Sequence, residues 1–125
     1  MKRCLLALLL CGILAGCSQN PKPVTGAVNQ FDSDSYLALV TADAVIQQTK
    51  AGLNAGSFPT SLVPGITSTL NNLIATYDVA DTAYLAYHTA AVAGTVTAAQ
   101  KAAVSSGLTS VQNATSALVT AKGGK

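Results

Sequence analysis

Glutamate and tryptophan are absent from these 125 residues, arginine occurs only at Arg3, and there is a single histidine, His88. Without glutamate the commonest acid/base side chain is missing, and no glycine-rich phosphate loop, nucleophile elbow or paired-carboxylate arrangement replaces it. Catalysis is therefore not expected. His88 stands seven residues beyond Asp81, about 10.5 Å along a helix, too far for that carboxylate to orient the imidazole. Asp78, Asp81 and His88 also lack the one-turn pairing that aims two ligands at one ion, so no metal and no cofactor are expected, and His88 reads as a satisfied or surface side chain. Charge of either sign is scarce as well. After residue 16, Lys22, Lys50, Lys101, Lys122 and Lys125 face Asp32, Asp34, Asp43, Asp78 and Asp81 in equal number. That balance leaves no electrostatic footprint for a nucleic acid or an anionic bilayer surface. Of the three cysteines, Cys4 and Cys11 lie within the leading apolar stretch and only Cys17 follows it. A disulfide or a thiolate metal site in the remainder is excluded, and stability has to come from packing.

The beginning of the chain is its most specific feature. Lys2 and Arg3 precede an apolar run from Leu5 to Ile13, which ends in Leu14-Ala15-Gly16-Cys17. A basic start, a short apolar middle and small residues at the end are the parts of an export signal, and the middle is too short for a permanent bilayer span. Leu14-Ala15-Gly16-Cys17 resembles the lipobox of bacterial lipoproteins, followed here by polar Ser18, Gln19 and Asn20. That resemblance implies lipid transfer to the Cys17 sulfur, cleavage between Gly16 and Cys17, and acylation of the new amino terminus with a palmitate-type chain. It covers the signal alone and names no activity. One acyl chain holds a protein only marginally, whereas the three usual in this class hold it permanently. In enterobacterial lipoproteins a residue other than Asp after the lipidated cysteine implies outer-membrane sorting, so Ser18 points to the outer membrane, periplasmic or surface face, in a Gram-negative cell.

About 109 residues then remain, enough for one domain with a modest core. Half of the sequence is apolar, which argues against disorder. Residues 17–30 contain Pro21, Pro23 and Gly26 and read as a lipidated cysteine plus a flexible tether, with a reach of roughly 20 Å. Residues 31–125 carry three helical patterns. The first, at about 33–53, has Leu39, Ala42, Ile46 and Leu53 on one stripe, Asp32 as its expected cap, Phe31 positioned to staple onto Tyr36, and Gly52 and Gly56 as its expected end. Between Gly56 and Gly65, Pro59 and Pro64 forbid a continuous helix, and a connector covering one end of a bundle is expected. The second pattern, at about 65–93, places Ile66, Leu70, Leu73, Tyr77, Ala80, Tyr84, Tyr87 and Ala91 on a heptad stripe before Gly94. The third, at about 97–121, opens on Thr97 and Gln100, a capping box, and carries Val104, Leu108, Val111, Thr115 and Leu118. Three amphipathic helices joined by short turns bury their stripes most simply in an all-α antiparallel three-helix bundle.

Two further groups of residues carry functional expectations. Tyr77, Tyr84 and Tyr87 on the second stripe, with Tyr36 opposite, form either an aromatic face for a ligand or partner, or core packing with hydroxyls reaching the rim. The sequence as given ends Gly123-Gly124-Lys125, in which it is similar to the major outer-membrane lipoprotein of enteric bacteria, whose terminal lysine is joined to peptidoglycan. Pro59, Pro64 and Gly94 break the long helix of that family. The expected function is a non-catalytic, membrane-anchored envelope lipoprotein with a helical scaffold or protein-interaction domain, its partner an envelope protein or a second copy. The alternatives are a small-ligand carrier with a pocket near the tyrosine stripe, a peptidoglycan tether through Lys125, and a phage-encoded envelope lipoprotein.

Overall fold

A computed structural model describes residues 25–123. The expected signal with Gly16 and Cys17, most of the tether, and Lys125 lie outside the described residues. Three helices follow in order: α1 Gln30–Asn54, α2 Val63–Ala93 and α3 Ala98–Ala121. No strand occurs among the described residues, and the helices pack on one another as an all-α three-helix bundle. Short connectors make neighbours antiparallel: the start of α1 meets the end of α2 through Asp32 and His88, and the start of α3 through Phe31 and Lys101.

The start of α1 differs from the expectation. Asn29, not Asp32, is the cap: its backbone is extended at φ −156° and ψ 177°, and its side chain accepts the Asp32 N–H at 2.9 Å. The helix thus begins at Gln30, which moves Asp32 into the first turn and frees its carboxylate for other donors. Phe31 does not staple onto Tyr36, because five residues along a helix point apart; its ring meets Tyr87 edge-on at 5.0 Å instead.

At the other end α1 closes through Gly56, in the left-handed region at φ 63°. Gly56 N–H donates to the Leu53 carbonyl at 3.1 Å and Ser57 N–H to that of Gly52 at 2.9 Å, the paired bonds of a Schellman ending. Gly52 itself is helical, and its part is to admit a neighbour. A Cβ there would lie 2.7 Å from the Phe58 ring, so the missing side chain is the seat on which the connector's aromatic rests. Phe58 and Leu62 pack against the core from this connector, and Leu62 reaches toward Gly123 at the end of α3.

α2 carries Pro64 in its first turn and ends at Gly94, φ 71°, where proline and glycine are each best tolerated. α3 opens on the expected capping box: Thr97 N–H donates to Gln100 Oε1 at 2.9 Å, and Gln100 N–H to Thr97 Oγ1 at 3.2 Å. α2 and α3 form the tightest pair of the bundle. Gly107 explains the closeness, since a Cβ there would stand 3.0 Å from the Ala80 Cα. Leu39, Ala42 and Ile46 of α1, Ile66, Leu70, Leu73, Ala80 and Tyr84 of α2, and Val111, Ala114 and Leu118 of α3 form the core. Many surface hydroxyls, among them Thr41, Thr82, Thr109 and Thr120, turn back onto the carbonyl four residues earlier. Their polarity is partly consumed inside the helix, and the surface between the few charges is correspondingly mild.

Candidate functional site

The chemistry-bearing side chains converge at the end of the bundle where residues 25–29 lead in. Asp32 is at its centre, with 0% exposure. Its carboxylate accepts the Val28 N–H at 2.9 Å and faces His88 Nδ1 at 3.0 Å and 2.8 Å through its two oxygens. The Tyr84 ring lies beside that of His88, their centroids 5.9 Å apart. A carboxylate is an acceptor only, so Nδ1 of His88 carries the proton in either charge state of the ring. A buried charge of this kind is tolerable because donors surround it and because it lies in the first turn of α1, where the helix dipole favours an anion.

His88 is thus oriented by a carboxylate after all, one supplied across the bundle by α1 and not by Asp81 on its own helix. Its side chain remains 32% exposed. The pair therefore braces α1 against α2.

The four tyrosines divide. Tyr84 and Tyr87 are buried, at 8% and 3% exposure. Burial first, then the nearby Asp32 charge, push the Tyr84 hydroxyl up to about 12. The Tyr87 hydroxyl exchanges hydrogen bonds with the Asn29 amide, the shorter at 3.1 Å, so the capping residue of α1 is itself held by α2. Lys101 of α3 places its ammonium 5.0 Å over the Phe31 ring and ties in the third helix. Tyr36 lies on the surface at 45% exposure, its ring 6.3 Å from that of Tyr84. Tyr77 is half-buried near mid-bundle; burial, then Asp81, Asp43 and Asp78, raise its hydroxyl above the ordinary range. The structure thus gathers Tyr84 and Tyr87 into an internal network and leaves Tyr36 and Tyr77 along the seam between α1 and α2.

Asn29, Asp32 and His88 form the part of this cluster that the sequence pattern did not bring together. Asp32 and His88 are 56 residues apart, and only the relative register of two helices joins them. One signal was present: an aspartate followed by a helix with just one histidine, in a chain poor in charge.

Exposed large apolar side chains are distributed unevenly. Val28, Tyr36, Leu37 and Val40 surround the start of α1, and Val79, Leu85, Val92 and Val96 occupy the second half of α2 and the turn after it. All lie in the half of the bundle next to residues 25–29. In the far half Phe58, Leu62, Leu53 and Ile74 are packed against the core.

Among the described residues no helix is long and apolar enough to cross a membrane, and no group of three or more His, Cys, Asp or Glu side chains is placed to hold a metal ion. Comparison of the chain with protein-family models, with curated proteins and with solved structures finds no match.

Proposed function

We propose that the protein is a bacterial envelope lipoprotein, cleaved before Cys17 and held by acyl chains on that residue, whose helical bundle is a non-catalytic scaffold or protein-interaction domain. The observation that carries this reading is Leu14-Ala15-Gly16-Cys17, placed at the end of a basic and then apolar leader and followed by a polar, proline-containing stretch. The interior adds support of a different kind. Among the side chains best suited to chemistry, Asp32 is paired with His88 and Tyr87 is bonded to Asn29, and both contacts join the start of α1 to α2.

The partner is an envelope protein or a second copy of the chain, and the location is the cell envelope, with Ser18 favouring the outer membrane of a Gram-negative cell. Metabolic labelling with radioactive palmitate tests the anchor. The intact protein should take up label, and Cys17→Ser should stay unlabelled and retain its leader. Equal labelling of the two, or none in either, would remove the lipoprotein reading. Cross-linking in whole cells with the lipidated form then distinguishes a scaffold, which yields defined partners, from a free carrier.

A further inference from the structure

The exposed apolar side chains near the tether form a strip with a definite place. The Tyr36 ring stands beside Tyr84, which puts Tyr36 and, one turn later, Val40 on the α2 side of α1. Leu85, His88 and Val92 follow at spacings of three and four on α2, and His88 is bonded to Asp32 of α1, which puts that row on the α1 side of α2. Tyr36, Val40, Leu85 and Val92 therefore flank one seam, exposed by 45%, 46%, 54% and 67%.

We propose that this strip rests on the surface of the bilayer that holds the Cys17 anchor, its apolar side chains lying at the boundary of headgroups and acyl chains of zwitterionic lipid. The inference depends on the lipoprotein reading above. Val28 follows Cys17 by eleven residues, a length of chain that can span at most about 40 Å. Val40, the farthest of the α1 members, lies ten residues into α1, about 15 Å from the tether end. An anchored chain therefore keeps the whole strip within reach of lipid, and contact is intramolecular, so a modest apolar gain suffices.

The chemistry of the strip suits that occupant. It carries no formal charge except on His88 when protonated, and its tyrosine has the amphipathic ring that favours membrane interfaces. Asp43, Asp78 and Asp81, which all act on Tyr77, lie about 20 Å from the tether end and set the limit to which the seam can approach lipid. With lysines and aspartates balanced, attraction to anionic headgroups is not the driving force. A second copy is a poorer occupant, because a few half-exposed side chains fall short of the roughly 800 Å² per partner of a stable interface.

The test uses the absence of tryptophan from the chain. Val40→Trp, Leu85→Trp and, in the far half, Thr120→Trp are prepared as full-length lipidated proteins and reconstituted into phosphatidylcholine vesicles with brominated acyl chains. Quenching should be at least about threefold stronger for Val40→Trp and Leu85→Trp than for Thr120→Trp, as expected for side chains at the acyl boundary. Protein that floats with the vesicles but shows equal, weak quenching at all three sites would overturn the strip proposal and leave the anchor standing. Blue-shifted, unquenched emission together with cross-links between copies would overturn it in favour of a dimer. Protein that carries no lipid and stays in solution would overturn both readings.

Discussion

The two ends of the bundle are built on different principles. At the far end Phe58 sits on Gly52, Leu62 reaches toward Gly123, and Ile66, Leu70, Leu73 and Leu118 fill the interior, so stability comes from apolar burial without directional demands. At the end where residues 25–29 lead in, Asn29, Asp32, Tyr87 and His88 interlock through hydrogen bonds, while Val28, Leu37, Val40, Leu85 and Val92 remain outside. Directional bonds fix the register of α1 on α2 but contribute modest net stability each. Stability and position are thus assigned to opposite ends, and the end with uncovered apolar surface is the one where residues 25–29 lead into α1.

The largest expected effect lies at the far end. Leu73, fully buried, should cost about 2–5 kcal/mol when changed to Ala, read as a fall in urea midpoint at an unchanged slope. A loss below about 1 kcal/mol would deny that end its stabilising part. At the end where residues 25–29 lead in, Asp32→Ala should cost about 2–3 kcal/mol, because the Val28 N–H loses its acceptor along with His88. His88→Ala should cost less, its ring being a third exposed. A double-mutant cycle sharpens the comparison: no coupling between Asp32→Ala and His88→Ala would contradict the brace.

Alkaline pH separates the ends in a third way. A tyrosine is neutral when protonated, and the folded Tyr84 hydroxyl, at about 12, holds its proton to higher pH than an unfolded tyrosine near 10. Its contribution is therefore complete below pH 10 and is lost as pH rises from 10 toward 12, by at most about 2–3 kcal/mol. Subtracting the same titration of Tyr84→Phe should remove that fall, and an identical pH profile in the variant would argue against Tyr84 as its source. The smallest effect belongs to the α3 cap: Thr97→Ala should cost about 1 kcal/mol, measured by thermal unfolding.

The helices were legible because each buries one stripe, and Leu39, Ile46, Ile66, Leu70, Leu73, Val104, Val111 and Leu118 announce those stripes by spacing alone. The Thr97 cap was legible for the same local reason. The start of α1 was not, since Asn29 and Asp32 are both good caps and only the extended backbone of Asn29 decides between them. Gly52 reads as a terminator until Phe58 is seen to occupy its missing side chain. The Asp32–His88 pair was beyond reach of periodicity, which tells which face of a helix is buried and nothing of how far one helix slides along another. The tyrosine stripe behaved likewise: spacing put Tyr77, Tyr84 and Tyr87 on one face, and only the register of α1 separates the buried pair from the seam.

The proposed anchor is tested most directly by mass spectrometry of the amino-terminal peptide of the protein extracted from membranes. The predicted result is a peptide that begins at Cys17, lacks residues 1–16 and carries the mass of a diacylglyceryl group and a fatty acyl chain. A peptide with an unmodified Cys17 thiol, or a chain cut at another bond, would contradict it.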